Sequence, residues 1–212
     1  MSRSVVFGLV GALGLAWQTG SVAAQSLTEA LALAYSNNPQ LNAARAQARA
    51  TDEGLVTWDT PVQKNLPSFA LSDPWVTQNL TIADLYAHRS GLYEHAGDEL
   101  EEIGYDRTQV LDRLRLVPID GFRTQYAYGN FDITAGAESV AAAAGQDWAS
   151  LSERLLYELL GMTSTSSRYA DFAARDDRAV GHFRQNGQWV VTPDQRQPDA
   201  QSPAGGVSSS AT

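Results

Sequence analysis

A chain of 212 residues, 43% of them hydrophobic, is long enough for one domain with a sizeable core. Its 24 acidic residues outnumber 15 basic ones, leaving a net charge of −9 and none of the basic footprint that a nucleic-acid binder needs. With no cysteine, disulfides, thiol catalysis and cysteine metal sites are all excluded.

The N-terminus reads as an export signal. Arg3 supplies a short positive region, Val5 to Trp17 is an almost unbroken apolar run, and Val22-Ala23-Ala24 places small residues before a cut at Gln25. Because the run stops at Gln18, short of the roughly 20 apolar residues that span a bilayer, residues 1–24 are expected to be a cleaved signal peptide. No stable membrane span should then remain, and the mature chain is expected in the periplasm or at the outer membrane.

Ser26 and Glu29 form a capping box for a first helix, with Leu27, Leu31 and Ala34 or Tyr35 at helical spacing and a stop at Asn37-Asn38-Pro39. A second helix follows, capped by Asn38, with Pro39 in its first turn. Leu41, Ala44, Ala48 and Leu55 drift along one of its faces, while Arg45 and Arg49 sit on another. Such a shallow face buries little area at about 25 cal/mol per Å², so a partner helix is expected for residues 26–53.

From Thr57 the chain is punctuated by Pro61, Pro67 and Pro74, which predicts an irregular connection over the surface. Thr81 should then cap a helix ending at Gly91, and Asp106 one carrying Val110, Leu111 and Leu114 that stops before Pro118. Asp132 is expected to cap an alanine-rich helix running to Gly145. Asp147 should cap another, with Leu151, Leu155, Leu156, Leu159 and Leu160 at core spacing and Gly161 as its left-handed stop. Asn186-Gly187 between Val180–Arg184 and Gln188–Val191 predicts a tight hairpin, and the Ser/Gly/Ala/Pro composition of residues 201–212, taken alone, reads as a linker.

Two sets of motifs carry resemblances. Residues Ser26 to Tyr35, Asn38-Pro39, Leu41 and the Ala-Arg repeats up to Asp52-Glu53 resemble the first mature helices of TolC-type outer-membrane channels. Beyond Gly54, Trp58-Asp59-Thr60-Pro61, Leu71-Ser72-Asp73-Pro74 and His88-Arg89-Ser90-Gly91-Leu92 come in turn. Tyr128-Gly129-Asn130, Leu160-Gly161-Met162 and Pro203-Ala204-Gly205-Gly206-Val207 then follow. In this order they resemble the β-lactamase-related serine hydrolases, a group of class C β-lactamases, DD-peptidases and esterases.

The resemblance implies an α+β chain: a mainly helical fragment of the serine β-lactamase-like or DD-peptidase fold with one hairpin, most of the central sheet missing, preceded by a short helical segment. The expected layout is a signal peptide at 1–24, a TolC-like segment at 25–53 and a partial hydrolase domain at 54–212, a chimera whose junction hides at Asp52-Glu53-Gly54. The implied substrates are small amides or esters. No cofactor or metal is expected.

The family's chemistry, as the resemblance implies it, uses a serine and a lysine in Ser-x-x-Lys, with a Tyr-x-Asn pair sharing proton transfer and holding the substrate amide. Tyr128 and Asn130 match the pair. The only lysine is Lys64, three residues after Pro61, so Ser-x-x-Lys cannot be present. Losing a serine nucleophile costs about a millionfold in turnover in subtilisin, and Tyr128, at a phenol pKa of about 10 with no cation beside it, would be a poor base. The expectation is an inactive hydrolase fragment, with a TolC-like efflux or secretion component, or a helical interaction module, as the alternative.

The third family element, Lys-Thr-Gly or His-x-Gly, belongs after Gly205-Gly206; His95-Ala96-Gly97 has the letters but precedes the tyrosine, and reads as a loop coincidence. His88, beside Ser90, reads as packing near a helix end. The acidic run Asp98-Glu99-Leu100-Glu101-Glu102 reads as a solvated face, and His88, His95 and His182 lack zinc spacing.

Overall fold

In the computed structural model, residues 39–192 and 196–210 are described. The expected signal peptide and the helix capped by Ser26 lie outside them. The chain forms α1 (Pro39–Asp52), α2 (Val62–Asn65), α3 (Pro74–Asn79), α4 (Ile82–Tyr86), α5 (Asp98–Glu102), and α6 (Arg107–Arg113) with a 3₁₀ turn at Leu114–Leu116. It continues with α7 (Asn130–Ala144), α8 (Trp148–Ser152), α9 (Tyr169–Ala173), β1 (His182–Gln185), β2 (Gln188–Val191) and α10 (Ser202–Gly205). The expected architecture, mainly helical with one antiparallel hairpin, is what forms.

Helix α7 is the organising element because both of its faces are buried. Ile133, Ala137, Val140 and Ala141 join Ala43, Ala46 and Ala50 of α1, Trp148 and Leu151 of α8, Leu155 and Ala204 in one core. Phe131 and Ala135 join a second, formed with Val62, Leu71, Leu80, Leu85, Leu92, Val110 and Leu114. Small residues let α7 and its neighbours approach closely: a Cβ on Gly136 would stand 2.6 Å from the Tyr86 ring. Helix α1 therefore finds its partners within this chain.

Several local expectations change, each for an identifiable reason. The buried stripe of α1 is Asn42, Ala43, Ala46, Gln47 and Ala50, whereas Ala48 is exposed. The proline-punctuated stretch runs over the surface with its three prolines exposed, but it is anchored inward and carries short helices. Val62 donates to the Leu80 carbonyl (3.0 Å) and Ile82 to that of Thr60 (3.1 Å), and this bridge carries Val62, Phe69 and Leu71 into the core.

Thr81 and Asp84 make the capping box of α4, but the helix ends at Tyr86, because His88 takes a left-handed φ of 54° ahead of Gly91. Helix α7 begins at Asn130 with Gly129 as its cap, so Asp132 lies in its first turn and does not cap it.

After α8, capped by Asp147 as expected, residues Glu153–Tyr157 form a π turn, with Glu158 donating to the carbonyl five residues back at 2.9 Å. The wider turn rotates the following residues, so Leu155 and Leu156 are buried while Leu159 and Leu160 are 63% and 53% exposed. The hairpin forms with Phe183 opposite Val190 and Arg184 opposite Trp189, and Asn186 and Gly187 both have positive φ, at 50° and 79°.

Residues 201–204 are buried and not linker-like. Arg107 draws them in through the carbonyls of Asp199 (2.5 Å) and Ala200 (3.1 Å) and the Ser202 hydroxyl (2.7 Å). Glu101 accepts from Gln201 and from Arg196 (2.5 Å), so this member of the acidic run is buried, not solvated.

Candidate active site

Tyr128 and Asn130 stand at the start of α7, on either side of its cap residue Gly129. Residues 127–129 are clamped against the loop that follows α4. Ala127 N–H donates to the His88 carbonyl (3.0 Å), Gly129 N–H donates to His88 Nδ1 (3.2 Å), and His95 N–H donates to the Tyr128 carbonyl (2.8 Å). Two histidine rings flank the phenol, with centroids 4.9 Å away for His88 and 5.2 Å for His95.

The side chains form one hydrogen-bonded chain. The Tyr128 hydroxyl donates to Asn130 Oδ1 (2.9 Å), Asn130 Nδ2 donates to Asp98 Oδ2 (2.9 Å), and His95 Nδ1 lies 3.0 Å from the same Asp98 oxygen. Gly97 lets Asp98 come this close. Its φ is 97°, and a Cβ there would stand 2.9 Å from both the Phe131 ring and Val110 Cγ1.

Beneath the pair lies Asp132, 2% exposed, with its Oδ2 3.9 Å from His88 Nδ1. Burial pushes its carboxyl above the ordinary range, against a smaller opposing pull from His88 and Ser90. That separation is too long for a hydrogen bond, and the Nδ1 lone pair already accepts from Gly129, so Asp132 and His88 are not a working acid–base couple. Ser90, 1% exposed, accepts from the Leu92 N–H and is closed to solvent.

Tyr128 and Asn130 are thus hydrogen-bonded to each other at the start of α7. His88, His95 and Asp98, which spacing assigned to packing, a loop and a solvated face, converge on them. Only the juxtaposition of His95, Gly97 and Asp98 could have signalled this, and it becomes legible only once the loop is folded onto α7. Lys64 is exposed on α2. Among the described residues no group of three or more metal-ligating side chains occurs, and no helix is long and apolar enough to cross a membrane.

Over residues 40–212 the sequence matches the Beta-lactamase family. The chain belongs to that family. The unguisins hydrolase ungD of Aspergillus violaceofuscus is 30% identical over 129 residues, 56% of this chain and 22% of the fungal protein. A class C beta lactamase from Rhodobacter sphaeroides superposes with a TM-score of 0.60 at 26% identity, covering 82% of this chain and 47% of its own. FmtA from Staphylococcus aureus superposes at 0.66 and 18% identity, over 81% and 46%. The chain therefore spans less than half the length of each of these three proteins. The family match begins within α1, which contributes Ala43, Ala46 and Ala50 to the common core.

Proposed function

We propose that this chain holds the Tyr-x-Asn half of a beta-lactamase-family site for small amide or ester substrates and does not turn them over by itself. The observation that carries the reading is the built pair, Tyr128 hydrogen-bonded to Asn130, in a chain whose one lysine is exposed on α2 three residues after a proline. Hydrolysis by this family's route needs a nucleophilic oxygen with a neighbouring cation to tune its protonation, and Ser-x-x-Lys occurs nowhere in the 212 residues. The test is hydrolysis of a chromogenic cephalosporin and a short p-nitrophenyl ester by the purified protein and its Tyr128→Phe variant. Neither should exceed background; turnover that disappears in the variant would overturn the reading.

The TolC-like likeness of residues 25–53 supports a chimeric origin and export to the periplasm. One feature of α1 stands out in its packing. Gln47 is fully buried with no hydrogen-bond partner for either end of its amide among the described residues, and Asn42 Nδ2 likewise has none. Unpartnered buried polar atoms also occur on Tyr86, Asp132 and Trp148, within the family match that itself begins at residue 40, so these amides do not by themselves set α1 apart from the core. A TolC-like channel component remains the competing reading, and incorporation of the exported protein into outer-membrane fractions would favour it.

A further inference from the structure

We propose that Asp98 and His95 are positioning residues for Tyr128 and Asn130, fixing which way the Asn130 amide faces and so committing the Tyr128 hydroxyl to donate its proton. The assignment rests on reading Tyr128 and Asn130 as the retained half-site, and reaches it through the chemistry of the amide. An ionised carboxylate only accepts hydrogen bonds, whereas the two ends of an asparagine amide differ, one accepting and one donating. With Asp98 Oδ2 at 2.9 Å, the end of Asn130 facing it must be Nδ2. Oδ1 is then turned to Tyr128, where at 2.9 Å the hydroxyl can only be the donor. The lone pairs of the phenol oxygen are then directed away from Asn130.

His95 completes the arrangement from the other side of Asp98. Its Nδ1 lies 3.0 Å from the same oxygen, its ring meets the Tyr128 ring edge-on, and its N–H holds the Tyr128 carbonyl. Asp98 Oδ1 has no hydrogen-bond partner among the described residues, so the hold runs through Oδ2 alone. The backbone carries a cost for this placement. His95 has a φ of 63°, rarely adopted by a residue with a Cβ, and Gly97 follows at 97°. Strain kept beside a polar cluster, where an ordinary loop would relax it, points to a role for the residues it presents.

The test is nuclear magnetic resonance of the full chain carrying ¹³Cζ-labelled tyrosine and ¹⁵N-labelled asparagine amides, with the two signals assigned from Tyr128→Phe and Asn130→Asp. In Asp98→Asn, whose amide can face Asn130 either way, the Tyr128 Cζ signal should leave its parent position. The Asn130 amide protons should move toward the values of solvent-exposed asparagines, and Asp98→Glu should restore both in part.

His95→Gly suits the left-handed backbone, removes only a ring more than half exposed, and should displace the same signals in the same direction by less. Should Asp98→Asn fail to fold, His95→Gly decides alone. Parent-like Tyr128 and Asn130 signals in folded Asp98→Asn, or in His95→Gly where Asp98→Asn does not fold, would overturn the proposal. These signals do not depend on turnover, so hydrolysis by the parent protein would overturn only the proposed function.

Discussion

Two buried carboxylates titrate in opposite directions, and the contrast shows how a single residue sets the pH dependence of the fold. Burial alone would raise the Asp84 pKa, but hydrogen bonds from Arg123 (2.8 and 2.9 Å) and from Thr81 outweigh it and hold the carboxyl below its ordinary range. A lowered folded-state pKa contributes stability that is present above the unfolded value and lost as pH falls through the folded one. Asp132 has the reverse sign. Its folded-state pKa is raised by burial, so its ionisation costs stability as pH rises through and above the ordinary carboxylate range.

Urea midpoints at about pH 7 and about pH 3.5 should separate the two. Asp84→Asn is expected to destabilise by about 1 kcal/mol at the higher pH, a figure already discounted because the Arg123 side chain is 44% exposed, and by less at the lower pH. Asp132→Asn should stabilise the protein relative to parent at the higher pH, and this gain should shrink on acidification. A loss of stability in Asp132→Asn at both pH values would show that its carboxylate is satisfied after all.

At the scale of elements, most caps and the hairpin turn were legible in the sequence, though Asp132 does not cap α7, and burial was legible only in part. Thr81, Asp106 and Asp147 cap as read, and Asn186-Gly187 turns the hairpin, because each signal is a local bond between a side chain and its own backbone. The faces of α1 and the leucines after α8 were misjudged because they depend on partners far along the chain and on a π turn that no periodicity announces. The site divides in the same way. Tyr128-Gly129-Asn130 is contiguous and could be read, but Asp98 reaches it across 32 residues of sequence.

Gln47 supplies the test at this scale. A buried amide with unmet hydrogen bonds costs about 1–3 kcal/mol, so Gln47→Leu should raise the urea midpoint by an amount equivalent to about 1–2 kcal/mol with an unchanged m-value. A fall in the midpoint would mean that the Gln47 amide is satisfied in its socket. The complementary change, Leu151→Ala, removes a side chain 0% exposed at the α8 contact and should cost about 2–5 kcal/mol by opening a cavity.

Across the whole molecule, stability is unevenly distributed, because α7 belongs to both cores and the hairpin belongs to neither. Helix α7 cannot open without exposing Phe131 and Ala135 on one side and Val140 and Ala141 on the other, so helices α1 to α8 are tied into a single cooperative unit. Every residue of β1 and β2 is exposed, including Trp189 at 69%, and a two-stranded hairpin without a buried face is marginal in water.

Amide hydrogen exchange should accordingly show two classes. The β1 and β2 amides should exchange within the earliest time points, while those of residues 133–141 should be protected to the level of global unfolding. Leu159→Glu with Leu160→Glu should leave that ordering unchanged, since both side chains are exposed and lie outside the cores, but should reduce any concentration-dependent association that these apolar side chains support. Protection of the hairpin equal to that of α7 would mean that its exposed apolar face is covered in solution. Repeating the exchange at low and high protein concentration would show whether a second copy of the chain covers it.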